Sequence, residues 1–213
     1  MNFDLSYIIQ ILPSIIMGLT LHEFSHAYMA YRCWDFTARD LGRVSLNPLK
    51  HIDPIGFIFI VLAWFWWAKP VSFNVYNLKD SDSDTIKIAS AWPLANAILA
   101  IAFSLIFVII ANTISDTTLD RYAYFIDMIY YWIFINWWLF LFNLIPIPPL
   151  DGAHIFLTRF KNKPWYAGFY KFWTFALLWI LLLESQTSLD ILPIWILVRS
   201  LSELSLKLFG YSL

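Results

Sequence analysis

His22-Glu23-Phe24-Ser25-His26 places two imidazoles four residues apart, with a carboxylate beside the first. On an α-helix, positions i and i+4 share a face. Two such imidazoles can hold one Zn²⁺, and the adjacent Glu23 can act as general base toward a water activated there. At average composition the pattern arises by accident in about half a percent of chains this long. Its surroundings sharpen it, because no charged residue lies between Leu5 and Leu21. A Glu and two His within an apolar helix are costly, and ionisable groups in membrane segments are functional by default. The plain structural reading is a buried polar cluster that holds helices together.

A hydrolytic zinc site takes three protein ligands and leaves the fourth position open. Asp151 is the best candidate for the third. It follows a charge-free stretch from Met128 to Leu150, within Asn143-Leu144-Ile145-Pro146-Ile147-Pro148-Pro149-Leu150-Asp151-Gly152. The three prolines remove backbone donors and break the helix. Irregular backbone at membrane depth is tolerated where it lines an enclosed or watery cavity. The alternative is a loop Asp capping the next helix. Depth favours the ligand: His26 lies about 8 Å from its helix end at Tyr31, at 1.5 Å per residue, and Asp151 ends its own segment on the same side.

The elements that must position these groups are membrane segments. Of 213 residues, 60% are hydrophobic and only 14% charged, against roughly 25% charged in a soluble domain. The net charge of -1 provides no basic field for nucleic acid. A single cysteine, Cys33, excludes an internal disulfide framework and a Cys-rich zinc site. Next to Arg32, its thiol is expected to be partly exposed. No cleavable signal peptide is expected, since the first apolar stretch lacks a basic flank.

Apolar stretches able to cross a bilayer run from 5 to 31, 88 to 111, 128 to 150, 165 to 183 and, more weakly, 191 to 209. Residues 55 to 68 are apolar but short, which suits a re-entrant segment. With that assignment, eleven Lys and Arg residues of the connecting loops fall on one side and one on the other. If 55 to 68 crossed instead, the division would be five against seven. The positive-inside rule therefore favours a re-entrant segment and cytosolic basic loops. Within the first of these loops, Arg43 to Asn47 and Val71 to Tyr76 alternate apolar and polar residues, as half-buried strands do.

His51 follows Lys50 in this loop and reads as a surface residue. His154, three residues after Asp151, is a candidate for a group beside the metal ligands or the substrate. Asn96 lies in an uncharged span and needs a partner there, either across helices or on a substrate.

In these residues the chain resembles the site-2 protease family of intramembrane metalloproteases, in particular the small prokaryotic members without a PDZ domain. The resemblance extends over most of the chain, through His22 to Ala27, Gly42 to Pro54, Trp67 to Val71, Pro93 to Asn96 and Asn143 to Gly152. It implies zinc held by His22, His26 and Asp151, Glu23 as the base, and substrate contacts from Asn96 and Asn143. Two positions depart from the family pattern. Trp92 stands where Gly is usual and narrows the expected substrate path, and Ala153-His154 stands where Gly-Arg is common.

The sequence thus predicts an all-α polytopic membrane protein. It has about five transmembrane helices, a re-entrant segment and a small membrane-associated β element, in one domain over residues 1–213. The expected activity is zinc-dependent hydrolysis of peptide bonds in or near transmembrane segments of membrane proteins, with one Zn²⁺ per chain. Partners are membrane-protein substrates and the bilayer, and the location is a prokaryotic inner membrane with the site toward the cytosol. The alternative is a non-proteolytic metal-binding transporter or sensor.

Overall fold

A computed structural model describes residues 5–51, 71–187 and 192–211. The re-entrant segment expected at 55 to 68 lies outside these residues. Among them the secondary structure is helical. The elements are α1 (Leu5–Arg32), α2 (Thr37–Asp40), α3 (Ser81–Thr113), α4 (Asp116–Arg121), α5 (Ala123–Leu144), α6 (Asp151–Leu157), α7 (Tyr166–Gln186) and α8 (Ile194–Leu208). Short 3₁₀ turns span Pro48–Lys50, Val75–Asn77 and Thr158–Phe160.

Length and composition make α3, α5 and most of α7 able to cross a membrane. Leu94, Ile98, Ile101, Leu105 and Ile109 lie exposed along α3. Their spacing of three and four residues marks one outward face. Such a face would be a liability in water and is natural in lipid. The protein is an integral membrane protein.

The bundle core packs Ala100, Phe107 and Val108 of α3 against Ile133 and Trp137 of α5 and Val198 and Leu206 of α8. Ser205 ties the last helix in. Its hydroxyl lies 2.7 Å from that of Ser104, and the Trp137 indole donates to it at 3.3 Å. Helix α1 enters the same bundle through Gly18. A Cβ there would meet Leu139 Cδ1 at 2.8 Å, and the amides of Asn136 and Asn96 at 3.5 Å. The missing side chain lets three helices approach one turn before His22.

Two expectations change, the strands and the exposure of Cys33. No strand forms among the described residues. Alternation is not sufficient, because a strand's backbone groups need a neighbouring strand. In these loops side chains take that role instead. Asn47 caps the first 3₁₀ turn through Leu49 N, and Asn74 caps the second through Tyr76 N. The third long apolar segment leaves its helix at Leu144, as expected from Pro146, Pro148 and Pro149, which cannot continue the backbone ladder. Cys33 is buried rather than partly exposed. The chain turns back at the end of α1 and packs the thiol with Ala30, Leu78 and Ile88.

Candidate metal centre

Helix α1 supplies His22, Glu23 and His26 because the four-residue spacing stacks the imidazoles on its inward face. Their ring centroids lie 4.8 Å apart, nearly edge to face. Helix α3 supplies the wall. The Ile88 carbonyl lies 2.9 Å from His26 Nδ1, and the Trp92 ring sits 3.4 Å, centroid to centroid, from that of His22. Helix α6 brings Asp151, whose Oδ2 lies 3.3 Å from His26 Nε2.

The path of the chain into Asp151 is sterically determined. The next residue, Gly152, packs on the end of α5, where a Cβ would come within 2.3 Å of the Ile145 carbonyl oxygen and 2.4 Å of that of Leu144. Only glycine permits this approach. The N-cap position of α6 falls on Leu150 rather than Asp151, and Asp151 Oδ2 has no hydrogen-bond partner, so the capping alternative does not describe it.

Donor atoms of His22, His26 and Asp151 all lie within 4.8 Å of one another. Their chemistry fits a cation. His26 Nδ1 donates its proton to Ile88, which leaves the Nε2 lone pair facing the Asp151 carboxylate. A backbone carbonyl that accepts from the other ring nitrogen is a usual outer partner of a metal-binding histidine. His22 Nδ1 and Asp151 Oδ2 are buried without a hydrogen-bond partner, and buried polar atoms normally have one. Zinc bonds near 2.1 Å place ligand atoms about 3.4 Å apart. The His26–Asp151 pair already has that spacing, and small rotations of the side chains bring in the widest pair.

Glu23 is buried beside this group. Its Oε1 lies 3.5 Å from His22 Nε2, and its Oε2 accepts from the Val71 backbone N–H at 2.9 Å. Arg43 Nη2 lies 3.9 Å from the same Oε2. Arg43 also donates to the Lys50 carbonyl, which folds its loop under the carboxylate. His51 closes that loop by a 2.6 Å contact to the Ser45 carbonyl and is buried. It is therefore not a surface residue, and burial pushes its imidazole pKa down.

The other candidates lie around the ligand group. Asn96, fully buried one turn beyond Trp92, donates to Asn136 Oδ1 at 2.9 Å. Asn143 donates to the Leu139 carbonyl one turn back on its own helix at 3.1 Å. His154 is outside the ligand group and its ring lies 6.2 Å from that of Tyr170. Burial lowers its pKa. Sequence reasoning did not single out Arg43 or the Val71 N–H as partners of Glu23. The Arg sits in the quoted Gly42–Pro54 motif, but a backbone N–H leaves no residue-type signal.

The model of the family described as Peptidase family M50 matches residues 108–183. A protein of Bacillus subtilis (strain 168), provisionally named zinc metalloprotease YwhC, is 34% identical over 98% of this chain and 94% of its own length. A Mycolicibacterium smegmatis protein, provisionally named zinc metalloprotease Rip2, is 29% identical over 70% of this chain and 57% of its own. A Methanocaldococcus jannaschii protein with a provisional zinc metalloprotease name is 27% identical over 72% of each chain. No solved structure matches.

Proposed function

The chain belongs to peptidase family M50, the site-2 protease family, and we propose that it cuts membrane proteins within or beside a transmembrane segment through Glu23, His22, His26 and Asp151. It is a zinc metalloprotease. The observation that carries the site assignment is the convergence of two histidines of α1 and one carboxylate of α6 on one buried spot, with Glu23 beside them.

His22, His26 and Asp151 would hold the zinc. When bound, Zn²⁺ lowers the pKa of water toward about 7 and polarises a carbonyl as a Lewis acid. The protein residues do the rest. His26 is oriented by Ile88, and Gly152 admits the Asp151 backbone. Glu23 takes a proton from the attacking water and hands it to the leaving amine. Its second oxygen is held by Val71 N–H and faced by Arg43, so Oε1, on the His22 side, is the working atom.

Substrates are membrane proteins with a transmembrane helix, processed as a step of regulated proteolysis. A helical substrate must unwind locally, because its peptide groups are hydrogen-bonded internally. The whole chain is then one intramembrane protease domain with α1, α3, α5, α7 and α8 as five spans. The charge tally supports a site toward the cytosolic face, and a prokaryotic inner membrane is the location that goes with this reading. A transporter or sensor would need the ligands but not Glu23, and is not favoured.

The test is Glu23→Gln. Zinc content should stay at one per chain, while cleavage falls about 10²- to 10⁴-fold, as expected for loss of a general base. Near-normal proteolysis by this variant would rule out the mechanism.

A further inference from the structure

Zinc would satisfy the lone pairs of the three ligands, but it cannot satisfy an N–H donor. Of the two buried indole N–H groups without a partner, Trp92 and Trp132, one lies against a ligand. Trp92 is 1% exposed, its ring lies against that of His22, and its Nε1–H has no hydrogen-bond partner. A buried donor without an acceptor is costly and calls for an explanation.

One turn further along α3, Asn96 is fully buried and Oδ1 has no partner. The hydrogen-bond network fixes the orientation of this amide. Asn136 Nδ2 donates to the Trp132 carbonyl at 2.8 Å, so Asn136 Oδ1 must accept, and Asn96 Nδ2 donates to it at 2.9 Å. Asn96 therefore turns an acceptor, not a donor, to whatever comes next. Residues four apart share a helix face, so an unpaired donor and an unpaired acceptor stand on one side of α3, the donor beside a metal ligand.

A peptide backbone presents the complement, with one carbonyl acceptor and one N–H donor per residue. The family resemblance already implies a substrate contact for Asn96; we propose that the Trp92 indole joins it, so that the two bind the backbone of the unwound substrate next to the ligands. The indole donates to a substrate carbonyl and Asn96 Oδ1 accepts from a substrate N–H. The contact is indifferent to side-chain identity, so it fixes register rather than sequence. This inference rests on the protease reading.

The test is a binding measurement on zinc-loaded Glu23→Gln protein in detergent. The probe is a fluorescently labelled single-span peptide of Leu, Ala and Gly with lysine flanks. Adding Trp92→Phe, which keeps an aromatic ring but lacks the donor, should leave zinc at one per chain and weaken peptide binding about tenfold. If Trp92→Phe does not fold, β-benzothienylalanine at position 92 keeps the bicyclic shape without the N–H. Equal affinity with and without the donor, including equal absence of binding, would overturn the proposal. Loss of zinc would also overturn it, by showing that the ring serves only to hold His22. Weaker binding together with a zinc-loaded wild-type protein that cuts nothing would support the contact and refute the protease reading.

Discussion

His26 Nε2 and Asp151 Oδ2 face each other at 3.3 Å, one from the helix that opens the described bundle and one from a short helix that follows three prolines. With Nδ1 committed to the Ile88 carbonyl, this is a meeting of two lone pairs in a buried place. Two acceptors at that distance repel unless a cation or a proton lies between them. A proton would serve this pair alone, whereas a metal would also serve His22, whose Nδ1 is buried nearby without a partner.

Removing one of the two should therefore release it. Asp151→Ala is expected to lower zinc occupancy well below one per chain and to abolish cleavage. Metal analysis of the purified protein checks this. If zinc and activity both persist, the third ligand lies elsewhere.

Gly152 should be nearly as sensitive, although it touches no metal. Its Cβ position lies within 2.6 Å of three main-chain atoms at the end of α5, and backbone cannot yield as a flexible side chain can. Gly152→Ala should cost at least about 1–3 kcal/mol as overpacking and should draw Asp151 away from His26. Thermal unfolding and zinc content should fall together. Gly18→Ala is the control, because its nearest obstacle is the flexible end of Leu139. It should cost less and keep zinc.

Asp35 sets the position of the loop that reaches Glu23. It is fully buried and accepts from Thr37 N and Oγ1, Asn74 N and Asn77 Nδ2. Burial alone would raise its pKa, but the hydrogen bonds from Thr37, Asn77 and Asn74 outweigh it and hold the carboxyl below the usual range. A depressed carboxylate contributes stability that is present above its unfolded value of about 3.9 and is lost as pH falls through the lower folded value. Limited proteolysis near Tyr76 should therefore accelerate below about pH 4. Asp35→Asn should open the loop already at neutral pH, since its NH₂ would face backbone donors, and should cost about 1–3 kcal/mol. Unchanged proteolysis in Asp35→Asn would show that the loop is held by other contacts.

Topology is accessible through an engineered thiol. The native Cys33 is buried, so it is a poor reporter and is best removed as Cys33→Ser. Tyr76 is 93% exposed in the basic loop. With Tyr76→Cys in that background, a membrane-impermeant maleimide should label inverted vesicles and leave intact cells unlabelled. Labelling of intact cells would reverse the proposed orientation.

Much of the site was legible because its chemistry is encoded in residue types at a helical spacing. His22, Glu23 and His26 need only an α-helix to share a region, and a charge-free run makes that helix. Asp151 was legible because prolines ended a long apolar stretch just before it. The strands expected at Arg43 to Asn47 and Val71 to Tyr76 failed for the converse reason. Alternation states which side of a segment is apolar, but a strand exists only if another chain segment satisfies its backbone. Here Asn47, Asn74 and Asp35 satisfy part of it instead.

The sequence by itself determined the solvent, and it pointed to the residue types that could hold a metal and to a candidate base, since these follow from composition and from spacing along one helix. Only the tertiary structure decided which partners those groups meet. The Ile88 carbonyl on His26, the Val71 N–H and Arg43 on Glu23, the Trp92 ring on His22 and the glycine contact at 18 join segments distant in sequence, and Gly152 packs across the proline turn on the end of α5. Four of them, at Ile88, Val71, Gly18 and Gly152, involve backbone atoms or the absence of a side chain. Such contacts carry no residue-type signature, so they appear only when helices pack closely enough for one chain segment to occupy the space another leaves.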